Sequence, residues 1–103
     1  MSKQGKASRG KHRWIGFQVT KVVPDRKKME SFLKKPLGEM EWRLYDFENS
    51  NNPALCIVRV KLSDSENAVS ILNSVKSIST LAKSGKIRLV RERMGLERPP
   101  RNR

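Results

Sequence analysis

The segment RWIGFQVTKVV, early in the chain, alternates between apolar and polar side chains, and this alternation is the feature that most constrains the fold. Ile15, Phe17 and Val19 point to one side of an extended chain. Trp14 and Gln18 point to the other side, with a glycine between them. Such a pattern is typical of a strand that packs one face against a core. It predicts a first strand that ends before a proline and that places Trp14 opposite the core.

Five further segments have the pattern of a helix or a strand. Asp25 is a suitable N-cap for the helical segment RKKMESFLKK, which precedes a strand, MEWRLYDF. The turn-forming segment ENSNNP then leads into a third strand, ALCIVRVKL, as in a hairpin. Ser63 and Glu66 have the spacing of a capping box at the start of a second helix, SDSENAVSILNSV. The apolar residues Ile87 and Leu89 of KIRLV predict a fourth strand.

The second and third strands also divide their side chains between two faces. Trp42 and Leu44 share one face of the second strand, whereas Arg43, Tyr45 and Phe47 share the other. In the third strand, the two groups are Cys56, Val58 and Val60 on one face and Leu55, Ile57 and Arg59 on the other. This alternation predicts that each strand buries one of its faces in the core.

The predicted order of elements, βαββαβ, defines an α+β fold. Each of the two helices has one apolar stripe, and two such helices cover one face of a four-stranded sheet. Right-handed crossovers then give the ferredoxin-like arrangement, also seen in RNA-recognition motifs, of a four-stranded antiparallel sheet with the helices on one face. We expect the first and third strands at its centre. The uncovered face is then expected to present Trp14, Gln18, Ile57 and Arg59.

The chain of 103 residues is long enough for one such domain, predicted over residues 13–92, and its charge is unevenly distributed. It has 23 lysines and arginines against 10 acidic residues, a net charge of +13. Much of the excess lies in a basic arm over residues 1–12, expected to be disordered when free, and in a basic tail over residues 93–103. Such a balance favours binding to polyanions, above all nucleic acid. The predicted RNA contacts are Lys3, Lys6, Arg9, Lys11, His12, Arg13, Arg91, Arg93, Arg98, Arg101 and Arg103.

Cysteine content and hydropathy indicate the compartment. Cys56 is the single cysteine, so no internal disulfide forms, and we expect a reducing, cytoplasmic environment. The sequence contains no long apolar segment and no basic amphipathic helix with a bulky aromatic face. We therefore expect no membrane partner.

The sequence lacks the spacing of any known catalytic or metal site. Cys56 lies in the middle of a strand and is interpreted as a small buried hydrophobic residue. The acids that a metal-dependent nuclease would need are Glu39, Glu41, Asp46 and Glu48. These acids have no signature spacing, and we interpret them as solvated charges of the hairpin. We therefore predict no catalytic residue, no metal ligand and no cofactor bound by this chain.

Two interpretations of Trp14 remain open. Proteins that bind RNA on a sheet face stack bases on aromatic side chains of the two central strands. The third strand here presents Ile57 and Arg59 and no aromatic residue, which disfavours that mode. The face is better suited to a protein interface, with Trp14 as its anchor and Gln18 beside it. In the alternative, Trp14 packs beneath a terminal helix or arm of its own chain.

The motifs, taken in order, resemble a known family. KHRWIGFQV is similar to the basic and aromatic opening strand of the small protein subunit of archaeal and eukaryotic ribonuclease P, called component 2 in archaea. EWRLYDFE resembles the second strand of that family, CIVRV its third strand, and SENAVSILNSV the helix that follows. GKIRLVRERMG resembles its last strand and the glycine after it. The resemblance extends over residues 11–95.

This resemblance implies an accessory role with no chemistry performed by the protein itself. In this family the catalytic RNA removes the 5′ leader from precursor tRNA, with magnesium bound through the RNA. The small subunit pairs with a larger, barrel-fold protein subunit, and two such pairs join into a heterotetramer through the small subunit. The complex binds the catalytic domain of the RNA and lowers its magnesium requirement. The chain is then expected to be a non-catalytic subunit of an endoribonuclease.

Three other functions are compatible with the composition. A ribosomal or other structural RNA-binding protein of the same fold would have a similar charge. A small metal-dependent nuclease would cleave without any RNA subunit and would lose activity on substitution of Glu39 or Asp46. A protein-interaction module would not bind nucleic acid at physiological salt.

Overall fold

The computed structural model describes residues 11–49 and 53–96. The elements in this part of the chain are β1 (His12–Val19), α1 (Arg26–Leu37), β2 (Trp42–Glu48), β3 (Ala54–Lys61), a 3-10 helix (Leu62–Asp64), α2 (Ser65–Ser74), β4 (Ile78–Ser84) and α3 (Ile87–Met94). None of these described helices has the length and apolar character of a membrane span. The predicted RNA contacts that lie outside the described residues are Lys3, Lys6, Arg9, Arg98, Arg101 and Arg103.

The four described strands form one antiparallel sheet in the order β2-β3-β1-β4. The first and third strands lie at its centre, where Ile15 of β1 is opposite Val58 of β3. This order is the one that two right-handed crossovers over one sheet face produce. The predicted ferredoxin-like α+β fold is therefore confirmed.

The main core lies between one face of the sheet and the helices α1 and α2. Ile15, Phe17 and Val19 of β1 are fully buried there, as their alternation predicts. The two helices contribute Met29, Leu33, Leu37, Ala68 and Leu72. Each large apolar side chain buried in this way contributes roughly 1.5–3 kcal/mol to folding. The sheet is thus held firmly against α1 and α2, and this fixes the positions of side chains on its other face.

Local signals set the start of α1 but not that of α2. The carboxylate of Asp25 accepts a hydrogen bond from the amide of Lys28 at 2.9 Å, as an N-cap does. The predicted capping box of α2 is wrong, because the residue before the helix is Asp64 and no side chain caps it. Ser63 lies inside the preceding 3-10 turn, one residue too early to accept from the first amides of α2.

The predicted position of the fourth strand is wrong. β4 is formed by the preceding segment, ISTLAKS, in which Ile78 pairs with Val19 and packs in the core. The last four residues of KIRLV instead form the first turn of α3, in which Val90 is fully buried and Leu89 is exposed. A run of five residues with apolar members fits a strand and a helical turn alike. The helical spacing becomes visible only when Met94, four residues after Val90, is included.

A β-bulge at Tyr45 changes which side chains of β2 reach the core. Leu44 and Asp46 lie opposite consecutive residues of β3, so Tyr45 between them is the extra residue. The guanidinium of Arg26 in α1 donates hydrogen bonds to the carbonyls of Leu44 and Tyr45 at this bulge. Side chains after the bulge change faces, so Phe47 packs against the core, not on the opposite face as predicted.

Candidate nucleic-acid interface

Helix α3 covers part of the sheet face that the sequence predicts to be open. Gly16 and Ile57 are opposite each other on the two central strands, on the face away from α1 and α2. A Cβ atom on Gly16 would lie 2.8 Å from Cγ1 of Val90 and would overlap the side chain of Met94. Ile57 and Val90 are fully buried. The prediction of an open face is therefore wrong here. Helix α3 of the same chain packs against Gly16, and Ile57 is not accessible to a partner.

A bidentate ion pair holds α3 to β2. Nε and Nη2 of Arg91 donate to Oδ2 and Oδ1 of Asp46 at 2.7 and 2.8 Å. The hydrogen bonds that Arg91 donates to Asp46 raise the pKa of Arg91 above its ordinary value, so the guanidinium stays charged throughout the pH range in which proteins fold. The sequence predicts Arg91 as an RNA contact, but the structure gives it a carboxylate partner within the chain. Arg93, a second predicted contact, is exposed.

Trp14 is half-buried and packs within the chain. The rings of Trp14 and Tyr45 are nearly perpendicular, at 78°, with their centres 6.2 Å apart. Nε1 of Trp14 is enclosed and has no hydrogen-bond partner among the described residues. The expected exposure of Trp14 is therefore wrong, and packing against its own chain describes it better. Gln18 is half-buried opposite Leu55 of β3, and its part in a protein interface stays a prediction.

At the end of the sheet where β1 and β2 begin, the same face contains an open cleft of about 220 Å³. His12 of β1 is opposite Lys61 of β3, and Arg43 of β2 is opposite Arg59 of β3. These four side chains share the face of Trp14, because residues paired across neighbouring strands point the same way. The lining consists of His12, Glu41, Trp42, Arg43, Arg59, Val60 and Lys61. The register of the sheet thus brings basic groups from three strands to one place.

Positive charge exceeds negative charge in this cleft. Lys61 pairs with Glu41 at 3.4 Å, but both side chains are largely exposed, so the pair contributes little to stability. The guanidinium carbon of Arg59 lies 5.6 Å from the centre of the Tyr45 ring, a cation–π distance. Arg43 is exposed and has no carboxylate partner within residues 11–49 and 53–96. This arrangement favours a ligand that brings negative charge.

Arg43 is a candidate that the sequence reasoning missed. Glu48 is opposite Leu55 near the hairpin turn, and counting back from that pair without a bulge would place Arg43 opposite Val60. The bulge shifts the register by one residue, so Arg43 is instead opposite Arg59. No signal in the sequence locates this bulge, and the arginine pair was therefore not predictable.

The predicted RNA contacts at the start of β1 lie at the same end of the sheet as the cleft. His12 is part of the cleft lining. Lys11 is exposed, and its carbonyl accepts a hydrogen bond from the amide of Leu62 at 3.0 Å. Arg13 is half-buried, and its Nη1 donates to the carbonyl of His12 at 2.9 Å. His12 thus lies in the cleft, whereas Arg13, opposite Val60, points to the other face of the sheet.

Three of the side chains considered for catalysis are buried or paired within the chain. Burial raises the pKa of the Cys56 thiol to about 12, so it is not a thiolate nucleophile at neutral pH. Two acids considered for a nuclease are paired with cations, Glu41 with Lys61 and Asp46 with Arg91. In the described part of the chain, no three His, Cys, Asp or Glu side chains lie close enough together to hold a metal ion.

Comparison of the chain with protein-family models, with curated proteins and with solved structures found no match. The resemblance to the small ribonuclease P subunit therefore rests on the sequence motifs alone.

Proposed function

We propose that this chain is the non-catalytic small protein subunit of ribonuclease P, which binds and stabilises the catalytic RNA for removal of 5′ leaders from precursor tRNA. The observation that carries the proposal is the concentration of positive charge at one end of the sheet, in a chain of net charge +13. The order of the motifs over residues 11–95 supports the choice of this RNA among the possible ones.

The proposed mechanism is neutralisation of RNA phosphates. Each lysine or arginine that contacts a phosphate releases condensed counterions, which favours binding at low salt. RNA segments that repel each other can then approach at lower magnesium concentration, because protein charge replaces part of the ionic screening. The magnesium ions stay on the RNA, which performs the cleavage.

The proposal includes protein partners. We propose that the chain pairs with the larger, barrel-fold subunit, and that two such pairs associate into a heterotetramer. Trp14 and Gln18 remain the proposed protein contacts, through the parts of their side chains that stay accessible. Arg59 lines the basic cleft, so an RNA contact is proposed for it in place of the predicted protein contact. We also propose that the complex acts in the cytoplasm, where a single free cysteine such as Cys56 stays reduced.

Reconstitution of precursor tRNA cleavage tests this function. The catalytic RNA and the larger subunit are assayed over a range of magnesium concentrations, with and without the full chain. The chain is expected to lower the magnesium concentration that gives half-maximal cleavage, because its basic surface supplies part of the charge neutralisation.

Two controls accompany this assay. The chain alone, with magnesium, is expected to release no leader. Glu41→Gln is expected not to lower the reconstituted activity, because it removes a negative charge from the basic cleft. Cleavage by the RNA-free chain that disappears on Glu41→Gln would contradict the accessory role and favour a nuclease. A magnesium requirement that stays the same when the full chain is added would contradict the proposal that the chain is a ribonuclease P subunit.

A further inference from the structure

Two like charges face each other in the cleft with no acid between them. Arg43 and Arg59 are directly opposite on β2 and β3, where Cβ atoms are about 5 Å apart and like charges destabilise a sheet. The Tyr45 ring offsets part of the charge of Arg59. Arg43 has no acidic partner among the described residues. An anion bound between the two guanidinium groups would turn this repulsion into attraction.

The basic lining continues around the edge of the sheet. β2 is an edge strand, and a second depression of about 470 Å³ lies between it and α1. Its basic lining residues are Lys27, Lys34 and Arg43, so Arg43 borders both the cleft and this depression. The acid in its lining, Glu30, lies 3.7 Å from Arg26. Both depressions therefore have an excess of positive charge, and they share Arg43 and its neighbour Trp42.

We propose that the cleft and this second depression form one track for the phosphodiester backbone of an RNA strand, in which Arg43 and Arg59 bind the same phosphate. Guanidinium groups suit this role because their planar N–H donors match phosphate oxygens in pairs. A single small anion would fill only the cleft. The lysines of α1 beyond the β2 edge favour a polymer whose negative charges repeat along its length. The inference rests on the proposed RNA-binding function and adds to it a surface on the folded domain.

The test compares two double variants of the full chain, each of which removes two positive charges. Arg43→Gln/Arg59→Gln changes the track. Lys76→Gln/Lys83→Gln is the control, because both lysines are exposed, Lys83 lies on β4, at the opposite edge of the sheet from β2, and Lys76 lies just before β4. The affinity for a short oligouridylate is measured by fluorescence anisotropy over a range of salt concentrations. Because the two arginines share one phosphate and a single strand contributes roughly 0.7 per phosphate contact, the slope of log K against log salt is expected to fall by about 0.7 in the track variant and less in the control.

The outcomes separate this inference from its rivals. Equal slopes for the two variants would overturn it. Binding of polyglutamate as tight as that of oligouridylate, with the same loss in the track variant, would show that an acidic protein segment occupies the track. The Tm of the track variant is expected to be unchanged or raised, since a repulsion is removed, and a clear fall would show that the two arginines serve the fold instead.

The inference and the proposed function can fail independently. Retained stimulation of ribonuclease P by the track variant, together with an unchanged oligouridylate slope, would overturn the track alone. In the opposite case, the oligouridylate slope changes as expected but the chain does not lower the magnesium requirement of ribonuclease P. That result would overturn the choice of RNA and leave the track in place.

Discussion

Replacement of Gly16 by valine is expected to lower the free energy of unfolding by about 1–3 kcal/mol, and the Tm by on the order of 10 °C. A Cβ atom at this position would lie 2.8 Å from Cγ1 of Val90 and would overlap Met94. Both partners belong to α3, so the added side chain must displace the Met94 and Val90 side chains and weaken the packing of the helix on the sheet. Thermal unfolding followed by circular dichroism measures the effect.

The sign of this change distinguishes a covered sheet face from an open one. On an open face, valine would stabilise β1, because it favours extended backbone more than glycine does. A raised Tm in Gly16→Val would therefore contradict the packing of α3 on the sheet. The matched control is the same substitution in a Met94→Ala background, where the space left by Met94 is expected to reduce the loss.

Removal of residues 1–10 and 97–103 is expected to flatten the salt dependence of RNA binding by about 4–5 units of the log–log slope. The truncation removes six basic residues, Lys3, Lys6, Arg9, Arg98, Arg101 and Arg103. Each phosphate contact contributes roughly 0.7–0.9 to the slope, and a protein with 6–10 such contacts loses about 10³–10⁵ in affinity between 50 and 200 mM salt. Affinity for the RNA is measured over that range for the full and the truncated chain.

A full-length variant with the same six residues changed to glutamine controls for the loss of chain length. It is expected to match the truncated chain, because the effect depends on charge. A slope that stays at the full-chain value in both variants would confine the RNA site to the folded domain. In that case Arg43 and Arg59, with their neighbours in the track, would supply the phosphate contacts.

The elements that the sequence predicted correctly are those with a clear period over several residues. Ile15, Phe17 and Val19 alternate over a full strand, and the structure buries all three. Asp25 combines a good capping residue with a helical stripe, and it does cap α1. Because β1, α1, the hairpin and α2 were placed correctly, the sheet order followed from general topological rules.

The errors arose where a short segment fits two structures or where one residue shifts a register. KIRLV is too short to show a helical period, so the sequence predicts a strand there and does not predict α3. The bulge at Tyr45 moved Phe47 into the core and Arg43 opposite Arg59. Bulges depend on the contacts of the whole sheet, and the surface that they create here could not be derived from local patterns.

The missed helix α3 and the missed bulge at Tyr45 account for most of the wrong predictions about the candidate site. Without α3, Trp14 and Ile57 were expected to lie on an open face, whereas the first is half-buried and the second fully buried. Arg91 was expected to be free for RNA, whereas its place on α3 brings it to Asp46. The sequence placed Arg59 on the correct face, but it did not predict that Arg43 lies opposite it.

The proposed function is tested most directly by recovering the full chain from the cells that make it, sequencing the bound RNA and identifying the bound proteins. A tagged chain is isolated at physiological salt, where contacts made by charge alone are weakened. We predict that the most enriched RNA is the catalytic RNA of ribonuclease P and that a barrel-fold protein accompanies it. Enrichment of ribosomal RNA with ribosomal proteins instead, and no ribonuclease P RNA, would contradict the proposed function.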